Sequence, residues 1–230
     1  MKKSVNKKEL DVLLNFIGYG SLKAEIWFIG MEEAGGGENN ISARLNFEPI
    51  MDCSEAHKLL GIFNLHFEKV IIQKTWRGMC YVMLCLNNEQ PTRENIRNYQ
   101  SRELGKRDGR TLLTELMPIP KPKINSWNYD ELIPQYNSSK EYYEKVMPYR
   151  INYLKGIIEQ NTPKVIIAYG KKYWNYFKEL FPNNNFTPEG QFEIAYNKKT
   201  LFILTDHFTS RTMNGKFDNI VSIIKKYQHL

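Results

Sequence analysis

The chain has 230 residues, 42% of them hydrophobic, 13% aromatic and 25% charged, which is globular composition and excludes a disordered or collagen-like chain. Its 32 Lys and Arg against 25 Asp and Glu leave a net charge of +7, an excess that favours a polyanionic partner. No uninterrupted apolar stretch is long enough to span a membrane, and Met1 to Lys8 has no apolar run behind it, so no secretory signal is expected. Cys53, Cys80 and Cys85 are too few and too irregularly spaced for a disulfide framework, a zinc site or an iron–sulfur cluster, and Cys80 and Cys85 read as small core fillers. A reduced, cytoplasmic, monomeric protein without metal or cofactor is expected.

Leu10, Leu13, Leu14 and Ile17 have helical spacing, and Gly18 and Gly20 end that helix. The run from Ala24 to Ile29 reads as a buried strand that stops at Gly30, and Met31 to Asn40 reads as a loop. Ser54 to Leu86 is helical and strongly apolar, with breaks near Asn64. A short helix is predicted around Thr92 to Leu104. Thr111 to Leu116 is a second buried strand, and Pro118, Pro120 and Pro122 enforce an extended exit. Ser138 or Ser139 caps a helix to about Gln160, kinked or split at Pro148. Pro163 to Gly170 is a third strand and Lys171 to Phe181 a helix. Gln191 to Tyr196 alternates like an edge strand, Thr200 to Thr205 is a fourth buried strand, and Phe217, Ile220, Val221 and Ile224 mark the last helix.

Strands alternating with helices imply an α/β fold: one domain over residues 1–230, a three-layer α/β/α sandwich on a mostly parallel four-stranded sheet. Ligands of such folds bind at the carboxyl ends of the strands. Two strand-end loops there are rich in chemistry. One carries Glu32, Glu33 and Gly35-Gly36-Gly37; the other carries Asp206, His207, Thr209, Ser210 and Arg211. A carboxylate can activate a water, an imidazole can stabilise a departing anion, and glycines let backbone N–H groups approach a ligand. Solvated loop carboxylates and a helix-capping histidine are the plainer interpretation of the same residues.

Four segments then stand in a telling order: strand-Gly-Met-Glu-Glu-Ala-Gly-Gly, Leu-Leu-Thr-Glu-Leu-Met-Pro-Ile-Pro, Pro-Lys-Val-Ile-Ile-Ala-Tyr-Gly and strand-His-Phe-Thr-Ser-Arg. Their order and placement, from Ala24 to Ile224, resemble the uracil-DNA glycosylase superfamily, outside its iron–sulfur branch. The resemblance implies a monofunctional DNA glycosylase acting on a flipped uracil or modified base. Glu32 takes the place of the residue that positions the hydrolytic water, and His207 that of the histidine that hydrogen-bonds the leaving base. Gly30, Met31, Thr114 and Glu115 fall at the base site, and Phe47 at the stacking ring. Thr209 and Ser210 fall where phosphate is gripped, and Arg211, with Met213 as a second candidate, at the wedge. The chain departs from the family where Glu33 replaces a proline, where Thr114 replaces an asparagine six residues before Pro120, and where Phe208 replaces the proline of His-Pro-Ser.

The basic run of Arg97, Arg102, Lys106, Arg107 and Arg110, interleaved by Tyr99, reads as a phosphate-contacting arm or a solvated face, with Arg107 and Arg110 nearest the second strand. Trp76 reads as core. His57 and His66 fall far from the strand-end loops, and His229 falls in a fraying terminus, so none of the three takes a role. Two other functions fit the residues: a non-catalytic DNA- or nucleotide-binding relative, and a metal-dependent nuclease using Glu32, Glu33, Asp206 and His207.

Overall fold

A computed structural model describes residues 4–228, the side chain of Gln228 excepted; His229 lies outside the described residues. The elements in chain order are α1 (Lys7–Leu14), β1 (Gly18–Gly20), β2 (Ile26–Ala34), α2 (Glu38–Arg44), β3 (Ile50–Met51), α3 (Cys53–Leu59), α4 (Lys74–Leu86) and α5 (Arg93–Arg102). They continue with β4 (Thr111–Lys121), α6 (Ser139–Asn161), β5 (Val165–Tyr169), α7 (Trp174–Glu179), β6 (Thr187–Glu189), β7 (Phe192–Tyr196), β8 (Leu201–Thr205) and α8 (Phe217–Gln228). Among the described residues no helix is long and apolar enough to cross a membrane.

The α/β class holds, but the sheet is not four-stranded. It is one mixed sheet of eight strands in the order β3-β1-β4-β2-β5-β8-β7-β6. Its centre, β4-β2-β5-β8, is parallel. Antiparallel pairings add β1 on one side and β7 and β6 on the other, and β3 extends the β1 edge in parallel. The added strands β1, β3 and β6 have three residues or fewer, too short for any period to show. The Gln191–Tyr196 strand is therefore not an edge, since β6 pairs outside it.

Alternation along the central strands feeds two cores, one on each face. Trp27, Ile29, Ile166, Ala168, Phe202 and Leu204 pack into one, with α1, α6 and α7. Ile26, Phe28, Val165, Ile167, Leu201 and Ile203 pack into the other, with α3, α4, α5 and α8. The first central strand does not stop at Gly30. It runs to Ala34 because β4 continues beside it, with Glu32 opposite Met117 and Ala34 opposite Lys121 across a register shift. Pro118 and Pro120 fit inside β4 because β1 pairs only with Leu112 to Thr114, leaving later residues an open edge where a missing N–H matters little. The Ile119 N–H between them bonds the Tyr142 hydroxyl at 3.0 Å.

The 54–86 region breaks around Asn64 as expected, but the break is long: the irregular segment 60–73 separates α3 from α4. Ser138 caps α6 by accepting the Glu141 N–H, and the helix continues across Pro148. From α6, Arg150 reaches beneath the sheet's end fully buried. It donates to the carbonyls of Leu116 (3.0 Å), Leu14 (2.9 Å) and Glu115 (3.0 Å), tying α1, α6 and β4 together. Burial pulls its guanidinium pKa down to about 10, so it stays charged at neutral pH. Replacing it by methionine keeps the bulk but strands three buried acceptors. Arg150→Met is expected to lower unfolding free energy by ~2–4 kcal/mol in urea titration, and a loss within experimental error would show that these carbonyls find other donors.

Candidate functional site

The connection after β2 leads to one side of the sheet and that after β4 crosses to the other, so the strand order reverses beside β2. A crevice opens at the carboxyl ends there. It is a cleft of about 610 Å³, lined by Met31, Glu32, Glu33, Glu115, Tyr169 to Tyr173, Asp206, His207 and Ser210, and by Phe16, Tyr19, His57 and Trp76 on its other wall.

At its floor Gly30 has no side chain, and the carboxyl of Glu115 fills the vacant space. A Cβ at Gly30 would run into both Glu115 oxygens and the Tyr169 hydroxyl. Tyr169 donates to Glu115 Oε1 at 2.9 Å. Oε2 is buried with no hydrogen-bond partner. Burial, reinforced by the nearby Glu33 and Glu32 carboxylates, pushes the Glu115 pKa up to about 8. At neutral pH it is therefore a carboxylic acid, with one donor beside one acceptor.

Glu32 and Glu33 diverge at the end of β2. Glu32 accepts from the Tyr143 hydroxyl at 2.7 Å and pairs with Lys121 Nζ at 3.3 Å. Its side chain is 2% exposed and that of Lys121 0%. Burial raises the Glu32 pKa to about 7 against the pull of Lys121 and Tyr143. Lys121 also donates to Ile124 O and Ser139 Oγ, both at 2.6 Å, and sits 4.3 Å from the Tyr143 ring centroid. Glu33 turns the other way. It accepts from Tyr19 OH at 2.9 Å and pairs with buried Arg44 at 2.6 Å.

His207 lines the same cleft. Its Nδ1 accepts the Thr209 N–H at 3.3 Å and lies 2.8 Å from Thr209 Oγ1. With Nδ1 as acceptor, the neutral ring carries its proton on Nε2. Desolvation lowers its pKa, so the imidazole is neutral at pH 7. Phe208, in the place of the expected proline, is an anchor. It is buried, stacked 5.1 Å from Tyr169, and edge-on to Phe28 and Phe217.

The structure thus brings Met31, Glu32, Glu33, Glu115, Asp206, His207 and Ser210 to one cleft, with Gly30 directly beneath the Glu115 carboxyl. Thr209 holds His207, and Arg211 is exposed on the adjoining turn. Other expectations need correction. Phe47 is buried under Arg44 and against Phe16, away from the cleft lining. Thr114 is buried and spends its hydroxyl on the Ile17 carbonyl. Met213 is fully buried, its sulfur 3.1 Å from Thr205 Oγ1, so it is an anchor and not a wedge. Arg110 joins Glu25 and Asn87 at the amino ends of β2 and β4, about 17 Å of strand from the cleft floor at Glu115. Arg107 is exposed and paired with Glu48, outside the cleft lining.

Further residues complete the cleft. Trp76 is half-buried and lines the cleft, as does His57, which was expected far away. His57 and His66 meet Cys53, the ring nitrogens 2.8 Å apart and the sulfur 3.7 Å from His57. Burial pulls the His57 pKa down to about 4. Lys171 and Lys172 stand exposed in the cleft lining, and their position just past Gly170 was the available signal, because it is a strand's carboxyl end. No protein-family model matches the chain, and no curated protein matches it at a significant level.

Folded, Glu115 keeps its proton to about pH 8; unfolded, it releases it near 4.5. Across that window the folded state binds more protons, so stability falls as pH rises. Between about pH 5 and 8 the wild type is expected to lose stability relative to Glu115→Gln by up to ~1.4 kcal/mol per pH unit in urea titrations. Parallel curves for the two proteins would mean that Glu115 is ionised in the fold.

Proposed function

We propose that the chain hydrolyses the N-glycosidic bond of a base extruded from DNA, as the resemblance of its motifs to the uracil-DNA glycosylase superfamily implies. The observation that carries this reading is that Glu32 and His207 line one cleft at the carboxyl ends of the central strands. Cleavage of that bond builds positive charge on the sugar and negative charge on the departing base. Glu32, with a pKa near the working pH, is suited to take a proton from the attacking water. His207 offers Nε2–H to the base as it leaves.

Other parts of the cleft fit the same chemistry. Protonated Glu115 lies at the cleft floor with Oε1 taken by Tyr169 and Oε2 still without a partner, so it keeps one hydrogen-bonding atom for a base edge, which Thr114, spent on Ile17 O, does not. Trp76 is the ring suited to stack an extruded base, in place of Phe47. Lys171, Lys172 and Arg211 supply positive charge for phosphates beside the base. The nuclease reading gains no support, since Glu32 and Glu33 already hold the internal cations Lys121 and Arg44. Binding without cleavage has one observation in its favour: the Glu32 side chain is nearly enclosed, as a structural carboxylate is.

The test is mass spectrometry of free bases released from a panel of DNAs carrying different modifications. Glu32→Gln and His207→Ala are each expected to slow release by ~10²–10⁴-fold. Unchanged rates would remove the mechanism, and tight DNA binding with no base released from any substrate would establish the binding-only function. Lys171→Ala/Lys172→Ala is expected to weaken DNA binding and to flatten the slope of log affinity against log salt by about two; an unaltered slope would take both lysines off the phosphate path.

A further inference from the structure

One buried cluster in the cleft wall takes no part in base chemistry. Cys53, His57 and His66 are all buried, and their sulfur and ring nitrogens lie within 4.8 Å of one another. Cys53 and His57 stand four residues apart on α3, hence on one face of it. His66 comes from the irregular segment 60–73, and its Nε2 lies 2.8 Å from His57 Nδ1. The Trp76 ring packs against both imidazoles at 5.3 and 5.7 Å.

Hydrogen bonding alone serves this cluster poorly. His57 Nδ1 is shared by the His66 ring and the Cys53 thiol, and His66 Nδ1 is buried with no hydrogen-bond partner of good geometry. Buried polar groups left short of partners are costly. One thiol and two imidazoles form a donor set of the kind that prefers zinc over magnesium or calcium.

We propose that Cys53 Sγ, His57 Nδ1 and His66 Nε2 form a binding site for a divalent zinc-class cation in the wall of the cleft. The ion displaces the Cys53 thiol proton to solvent and binds the thiolate. It replaces the hydrogen bond between the rings: Zn–N bonds of ~2.0–2.1 Å at a tetrahedral angle set the nitrogens about 3.3 Å apart, an opening of about half an ångström. Among the described residues no fourth Cys, His, Asp or Glu joins the group, so one coordination position is left to water or a ligand. His57 is also a lining residue of the cleft. The ion ties segment 60–73 to α3. That segment lacks regular structure and is held besides by α5 side chains, Gln100 bonding Leu65 O, Ile71 O and the Gln73 N–H and Arg97 donating to Val70 O, and by the Ile62 N–H to His57 O. Long irregular segments of this kind need such ties.

The inference stands apart from the glycosylase reading, and its test reads metal binding rather than base release. The full chain is stripped with a chelator and titrated with cobalt(II). One equivalent is expected to bind with a thiolate-to-cobalt charge-transfer band and tetrahedral d–d bands. Zinc should displace the cobalt and raise the melting temperature by several degrees in excess metal. The Cys80→Ala/Cys85→Ala variant, with Cys53 as its sole thiol, should keep the band. Cys53→Ser should lose it, and His66→Gln should weaken binding at least tenfold. Absence of a thiolate band in the folded wild type overturns the proposal, and so does a band that survives Cys53→Ser. Should Cys53→Ser not fold, the sole-thiol variant decides.

Discussion

A carboxyl group is among the most expensive side chains to bury, yet Glu115 lies at the floor of the cleft with one oxygen unpartnered. What permits it is Gly30, where the central strand contributes no side chain and the carboxyl occupies the vacancy with the Tyr169 hydroxyl. The cost is limited by protonation. Neutral Glu115 removes one negative charge from a region that already holds Glu32 and Glu33. The other two carboxyls can then be served by one internal cation each. Lys121 arrives at the end of β4 and Arg44 at the end of α2. Extending β2 past Gly30, which directs Glu32 toward α6 and Glu33 toward α2, serves the same separation of charge.

The central strands were legible because a strand buried on both faces is a largely apolar run, as in Ala24–Ile29, Thr111–Leu116, Pro163–Gly170 and Thr200–Thr205, although β2 and β4 run on past the ends those runs suggest. The outer strands were not. A two- or three-residue strand such as β3 or β1 forms only because a neighbour already offers its backbone, and no local pattern encodes that. The break between α3 and α4 was legible near Asn64, but not its length. Segment 60–73 keeps apolar residues at near-helical spacing, yet Phe63, Phe67 and Ile71 are exposed and Gln100, from α5, takes the backbone groups a helix would use.

At the site, the split follows chemistry. Glu32, Glu115 and His207 could be found because they sit at or just beyond strand ends, where sequence position and spatial position coincide. Lys121, Arg44 and the Cys53–His57–His66 cluster could not. Lys121 meets Glu32 from another strand, the cluster needs the irregular segment 60–73 to fold back on α3, and neither a lysine after a proline nor a histidine in a loop carries a mark of burial. Phe47 and Met213 erred in the opposite direction. Both are apolar residues near the expected cleft, and the competing interior claimed them.

The basic excess also means less than its whole-chain value suggests. Arg44, Lys121 and Arg150 are buried and balance carboxylates or backbone carbonyls inside the fold, while Arg107, Arg110 and Lys164 are paired with acidic side chains outside the cleft. Positive charge able to meet a polyanion at the cleft comes instead from Lys171 and Lys172 beside Gly170, with Arg211 on the loop after His207. Within a Debye length of ~8–10 Å such local charges outweigh the distant ones. The electrostatics relevant to a ligand are therefore set by two loops that flank the catalytic candidates. The same strand-end geometry that gathers the carboxyls also gathers the cations that offset their repulsion of an anionic ligand.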